Sequence, residues 1–199
     1  MKTVYDAKIL GLPKIEDPRG NLSIIEQMKQ IPFEIKRTYW IYDVPGGKDR
    51  GGHAYKENEE FIVALSGSFD VELDDGKNKQ KFSLNRSYHG LYVPKGMWRT
   101  MTNFSTNSLA LVLSSTEYDE NDYIMDYEEF KRWTKDNTVQ TVSSDARTSV
   151  KVNELDSQGM LKEGKSVFDC SLCELNKMHD PEGNLTYMYE NVHVPFPIN

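Results

Sequence analysis

Two groups of residues in this chain have the types and spacing to move protons. The first is His53-Ala54-Tyr55, followed by Glu60 and Gly67. The second is Pro94-Lys95-Gly96, followed by Arg99 and Asn103. Residues two apart on a strand share a face, so His53 and Tyr55 point the same way. An imidazole accepts and returns protons near neutrality. A phenol titrates near ~10, and serves better as a hydrogen-bond donor to a developing oxyanion. A guanidinium is permanently charged and cannot ligate a cation. That leaves His53 and Glu60 as donors, too few to hold a divalent ion. The chemistry expected is proton transfer with no metal and no cofactor. His53 is the best placed of the four histidines; His89 reads as a turn residue, and His179 and His193 as structural or exposed.

These residues need a β scaffold, and the sequence supplies one. Up to residue 115, short runs rich in β-branched and aromatic residues alternate with turn signals. They are LSIIEQ (22–27), RTYWIYDV (37–44), EFIVALSG (60–67), SFDVELDDG (68–76), KQKFSLN (79–85), HGLYVPKG (89–96) and SLALVLSS (108–115). Asp75-Gly76 marks a hairpin, and Gly67 a tight turn. Strands so closely spaced predict a sandwich or jelly roll. The period then changes over 118–135, where Tyr123, Ile124, Tyr127 and Phe130 fall at helical spacing. Polar residues at 136–165 read as a linker, with a short strand at TSVKVNEL.

Residues 3–35 recur at 166–198 with a constant offset of 163 positions, so that Asp17-Pro18 and Gly20-Asn21-Leu22 return as Asp180-Pro181 and Gly183-Asn184-Leu185. A repeat this long is a module rather than a solenoid unit. The expected organisation is a complete domain at 1–135, a linker at 136–165, and an incomplete, truncated second copy at 166–199. The second copy stops before the counterpart of Arg37, so only the first carries a full set of chemical groups. One arrangement open to its strands at 166–174 and 184–190 is pairing along an open sheet edge, because exposed edges invite association.

Composition narrows the function. With 38% hydrophobic and 28% charged residues, the 199-residue chain reads as a globular protein. A net charge of −7 without a basic stripe argues against nucleic-acid binding, and requires a local basic pocket for an anionic substrate. No apolar run reaches the ~20 residues of a membrane span, and the N-terminus lacks a signal-peptide core. A cytoplasmic protein with no membrane partner is expected. Cys170 and Cys173 align with Ala7 and Leu10 of the first copy, and read as ordinary reduced side chains.

The spacing of the two groups resembles the two cupin motifs, with Tyr55 and Arg99 where metal-binding cupins carry histidines. The wider pattern is sharper. DPRGNL (17–22), PFEIKRTYWIYDVPGG (32–47), RGGHAYK (50–56), ALSGSFDVELDDG (64–76), GLYVPKGMW (90–98), NFS (103–105), LVLSS (111–115) and YDENDYIMDYEEF (118–130) resemble the sugar 3,4-ketoisomerases of the WxcM-like group. The resemblance implies an all-β cupin jelly roll with a C-terminal helix. It also implies a TDP-linked 4-keto-6-deoxy sugar as substrate, and a homodimer whose N-terminal strands cross between subunits. The activity implied is conversion of TDP-4-keto-6-deoxyglucose to its 3-keto isomer, on the route to 3-amino-3,6-dideoxy sugars of lipopolysaccharide or S-layer glycans.

By motif, His53, Tyr55 and Tyr39 are the catalytic candidates. Arg37, Arg50, Glu60, Trp98, Arg99 and Arg19 are the substrate-binding candidates. Tyr39 lines a sugar pocket or fills the core; Trp98 shapes the sugar site or packs the barrel. Arg37 and Arg50 meet a diphosphate or a reacting oxygen, or form exposed ion pairs. Arg19-Gly20 forms a turn at the barrel mouth and leans toward the galacto product. His53, Tyr55 and Glu60 are expected on the concave face of one sheet, with Arg99 close by. Tyr55 departs from the family's second histidine, and keeps open an alternative: a catalytically degenerate module that binds nucleotide sugars in support of another domain.

Overall fold

Inward-facing apolar residues on alternate strand positions build two sheets that pack face to face. A computed structural model describes residues 2–139, 175, 177–178 and 180–188. The larger sheet holds β1 (Lys8–Gly11), β4 (Arg37–Tyr42), β6 (Glu60–Ser66), β9 (His89–Val93), β11 (Leu109–Ser114), β13 (Lys177–Met178) and β14 (Asn184–Met188). Their order is β1-β9-β6-β11-β4-β14-β13. The smaller sheet holds β5 (Arg50–Tyr55), β7 (Phe69–Asp74), β8 (Lys79–Leu84), β10 (Trp98–Thr102) and β12 (Tyr123–Ile124), in the order β12-β5-β10-β7-β8. A separate hairpin pairs β2 (Lys14–Ile15) with β3 (Leu22–Ser23). This is the expected jelly roll.

Three apolar clusters hold the layers. Tyr39, Ile62, Ala110 and Val112 of the larger sheet meet Val71, Leu73 and Met101 of the smaller one between the sheets. Outside the larger sheet, Leu12, Ile31, Phe33 and Ile35 cover Phe61, Val63 and Leu113. Outside the smaller sheet, helix α1 (Tyr127–Val139) lays Phe130 on Ala54 and Ile124, with Trp98 and Trp133 beside them. Burying such large side chains contributes about 2 kcal/mol each.

Helix α1 begins later than its periodicity predicts. Asp126 caps it, accepting from the Glu129 amide at 2.7 Å. Tyr123 and Ile124 lie outside the helix, in β12, paired with Tyr55 and Ala54. A helical spacing of aromatics therefore covered two elements, because a strand residue and a helix turn can both face the same sheet. The helix continues through Val139, so the first residues of the expected linker are helical. The LSIIEQ run is also corrected: only Leu22–Ser23 is strand, and its partner is the short β2. Cys170, Cys173, His179, His193, the TSVKVNEL run and the strand expected at 166–174 lie outside the described residues.

The recurring segment at 177–188 makes a hairpin like that at 14–23. Lys14 pairs with Ser23 and Ile15 with Leu22; Lys177 pairs with Thr186 and Met178 with Leu185. Both turns close in the same way. The Gly20 amide donates to the Asp17 carbonyl at 2.9 Å, and the Gly183 amide to the Asp180 carbonyl at 3.0 Å. Only the second hairpin joins the larger sheet, where β14 pairs along β4 from Asn184–Tyr42 to Met188–Thr38.

Candidate active site

A cavity of about 850 Å³ opens between the sheets at the end where β4, β5, β10 and the 177–188 hairpin meet. Strand pleat and one bulge decide which side chains enter it. On β5, His53 and Tyr55 face inward, as their spacing predicts. By simple alternation Arg50, three residues from His53, would face outward. A register shift lets Arg99 pair with His53 while Thr100 pairs with Gly51, so Gly52 is the extra residue. The bulge brings Arg50 to the cavity side. Gly51 permits it: φ is +90°, and a Cβ there would stand 2.6 Å from the Arg99 carbonyl oxygen.

Buried polar groups form one connected ring. Arg99 of β10 and Glu60 of β6 make an ion pair at 2.7 Å, both nearly inaccessible. Tyr39 donates to Glu60 at 2.6 Å and accepts from Arg99 Nη2 at 3.4 Å. Arg99 Nη2 also lies 3.1 Å from His53 Nε2. Arginine has no acceptor, so Nε2 must be the unprotonated nitrogen. Burial, then the charge of Arg99, lowers the His53 pKa to about 3, against a hydrogen bond with the Gly51 backbone that favours the cation. The imidazole is therefore a neutral base. Burial is the largest influence on Arg99 and opposes its charge, but Glu60 together with Tyr39, Tyr55 and Tyr123 outweighs it and holds the guanidinium above its ordinary range.

Tyr55 has its own partner. Its hydroxyl donates to Tyr123 at 3.0 Å, and the two rings sit 5.0 and 5.2 Å from His53. Burial pushes the Tyr55 phenol well above its usual range, so at neutral pH it is a hydrogen-bond donor. Arg37 is buried beneath Tyr39 and Tyr118, its guanidinium carbon 5.5 and 5.7 Å from their rings. Its Nε has no hydrogen-bond partner among the described residues; the same holds for Arg50 Nε and Arg99 Nη1. Three guanidinium groups thus bring spare donors to one cavity.

The sequence candidates divide cleanly. His53, Tyr55, Tyr39, Arg37, Arg50 and Arg99 line the cavity, and Glu60 stands behind Arg99. Glu60 lies on the sheet opposite His53, not on the same one, because β6 belongs to the larger sheet. Trp98 is not a lining residue: it alternates outward from Arg99 and packs on Tyr127 and Phe130. Arg19 is not one either, being exposed and paired with Asp17 at 2.9 Å in the β2–β3 turn. Its counterpart in the second copy, Glu182, does line the cavity, with Asp180, Leu185 and Tyr187. The sequence reading missed these and Tyr123. For Tyr123 the signal was present, since YDENDY breaks a clean helix with Asp119, Asn121 and Asp122.

A metal is poorly served here. Among the described residues no group of three or more His, Cys, Asp or Glu side chains could hold one. The would-be ligand positions carry a phenol and a guanidinium that is already committed to Glu60.

Comparison with known proteins bears on this arrangement. The family model described as FdtA, WxcM-like, C-terminal matches residues 5–135. The chain is 45% identical over 126 residues to a TDP-4-oxo-6-deoxy-alpha-D-glucose-3,4-oxoisomerase of Aneurinibacillus thermoaerophilus, covering 63% of this chain and 91% of the relative. It is similar to the structure of the WlaRB TDP-quinovose 3,4-ketoisomerase from Campylobacter jejuni, with 49% identity and a TM-score of 0.62 over 64% of this chain and 98% of the other. It also resembles a point variant of the 3,4-ketoisomerase QdtA from Thermoanaerobacterium thermosaccharolyticum in complex with TDP-4-keto-6-deoxyglucose. There the identity is 32% and the TM-score 0.65, over 70% and 99% of the two chains.

Proposed function

We propose that this chain, which belongs to the FdtA family of WxcM-like C-terminal domains, is an isomerase that moves the keto group of TDP-4-keto-6-deoxyglucose from carbon 4 to carbon 3. The observation that carries the reading is the neutral His53, its bare Nε2 held by Arg99 inside a cavity rich in arginine. His53 Nε2 gives up the hydrogen bond from Arg99 Nη2 that fills its one lone pair and takes the proton from carbon 3. The electron pair forms the C3–C4 double bond, and charge develops on the carbon 4 oxygen. Arg99 Nη1, Tyr55 and Tyr123 are the donors for that oxygen. One proton passes from the 3-hydroxyl to the 4-oxygen through the phenols. His53 then returns its proton to carbon 4, leaving the ketone at carbon 3. No proton is gained or lost overall. Arg37 and Arg50 are the diphosphate's partners, Glu60 and Tyr39 hold Arg99 in place, and no step needs a metal.

Support for activity rather than mere binding lies in Tyr55. Its hydroxyl donates to Tyr123 while its ring packs edge-on against His53, where a degenerate copy would be free to lose the hydroxyl. Deuterated water tests the reading. Incubation with TDP-4-keto-6-deoxyglucose should give the 3-keto isomer by NMR, with deuterium at carbon 4 to the extent that the proton on His53 exchanges with solvent before it is returned. Unchanged substrate without exchange would leave the binding module as the better reading.

The finer setting follows from the same reading. A 3-keto nucleotide sugar is what a 3-amination step consumes, toward amino sugars of surface glycans such as lipopolysaccharide or S-layer. A nucleotide-sugar substrate favours a cytoplasmic enzyme. A homodimer is supported by apolar side chains left open outside the larger sheet: Ile9, Ile15, Leu22 and Leu65 are 42%, 48%, 56% and 44% exposed.

A further inference from the structure

The hairpin at 177–188 differs from its counterpart at 14–25 in the charge it brings to the active site. In the first copy the turn is electrically self-contained, because Arg19 makes two hydrogen bonds to the carboxylate of Asp17. In the second copy Glu182 stands where Arg19 stood. Asp180 thereby loses its local cation and lies 3.4 Å from Arg50 instead, while Glu182 lies 3.8 Å from Lys48. Docking is secured by β14 along β4, and by Gly183, whose φ is +127° and whose Cβ would stand 2.9 Å from Val44 Cγ2. The hairpin thus adds two carboxylates to a cavity whose cations are Arg37, Arg50 and Arg99, the last already neutralised by Glu60.

We propose that the 177–188 hairpin is a wall of the substrate site supplied by the same chain, and that Asp180 and Glu182 are determinants of its affinity for the nucleotide diphosphate. This rests on the function proposed above and deepens it. Asp180 occupies Arg50, the outermost of the three arginines, with a side chain 16% exposed. An incoming diphosphate must share or displace that contact, and meets Glu182 beside it. The two carboxylates therefore weaken diphosphate binding. A wall of the first-copy kind, with Asp17 bound to Arg19, would leave Arg50 free. A purely structural role for the hairpin predicts the opposite sign, since losing its ion pairs would loosen the wall and weaken binding.

The test is calorimetric titration of the full chain with TDP, which requires no turnover. Asp180→Asn and Glu182→Gln should each tighten the dissociation constant about 3–10-fold, as expected for removing a unit negative charge several ångströms from an anion in a wet cleft. Glu182→Arg, which restores the self-paired turn, should tighten it further and steepen the salt dependence. Gly183→Val, which lifts the hairpin without changing charge, should tighten TDP binding while lowering kcat, because the Leu185 and Tyr187 wall is lost with it. Unchanged or weaker TDP binding in the two neutralised variants, with turnover intact in the unaltered chain, would overturn this inference alone. Failure of the unaltered chain to bind TDP at all would overturn it together with the proposed function.

Discussion

Replacing His53 by asparagine removes the proposed base while keeping a hydrogen-bonding edge toward Arg99. Turnover should fall ~10²–10⁴-fold, with TDP affinity little changed, in a steady-state assay paired with calorimetry. Tyr55 and Tyr123 are expected to act as a unit, because one hydroxyl donates to the other. Tyr55→Phe should abolish proton exchange, whereas Tyr55→His should raise turnover by adding a group that relays protons near pH 7. The pH dependence carries a second signature. With the His53 pKa lowered to about 3 in the folded protein, the free enzyme's base stays unprotonated through mildly acidic pH. The acid limb of kcat/KM attributable to His53 should lie below pH 5, and a limb near 6.5 would contradict the burial argument. Stability follows the same linkage. Unfolded His53 takes up its proton near its ordinary 6.5 while folded His53 does not, so the unfolded state binds more protons between 6.5 and about 3. Its contribution to stability is complete above that window and is lost as pH falls through it, measurable as a declining urea midpoint.

Strands supply direction and α1 supplies backing. β5 carries His53 and Tyr55 inward and Ala54 outward, and Ala54 rests on Phe130 of α1. Any loosening of α1 therefore reaches the strand of His53 and Tyr55 from behind. Asp126→Ala, which leaves the Glu129 amide without its side-chain acceptor, should cost about 1 kcal/mol and lower Tm by a few degrees. Turnover at low temperature should change little, because the cap is remote from the cavity; calorimetry beside an activity assay separates the two effects. The same strand shows how glycine fixes a site: the Gly51-Gly52 bulge is what lets Arg50 and His53 share a face.

At the scale of the molecule, two sheets oppose their charged groups across the barrel, so that Glu60 on one is neutralised by Arg99 on the other. This ion pair ties up the Glu60 carboxylate, one of the two donors the sequence offered for a cation. Dialysis against EDTA should leave turnover unchanged. A loss restored by one divalent ion would show that a donor set other than His53 and Glu60 operates. The 177–188 hairpin extends the larger sheet along its β4 edge, and gives the cavity a wall in addition to the strands and loops of residues 2–139.

Spacing and residue type determined much of this in advance. The i, i+2 pleat placed His53 and Tyr55 together, the turn signals gave the strand succession, and the run of motifs led to the jelly roll and its reaction. These are local properties, encoded by a few neighbouring residues, and legible without coordinates. Other features depended on which strands meet. Glu60 belongs to the sheet facing His53 because chain reversal after Tyr55 carries β6 into the other layer. Tyr123 reached the site because β12 pairs with β5, although its spacing matched a helix. Trp98 turned outward because pleat alternation had already given the inward place to Arg99. Arg19 stayed in solvent, and Glu182 came to the cavity, because only one of the two related hairpins lies on β4. Register and strand adjacency arise from contacts between residues far apart in the chain, so only the tertiary structure decided them.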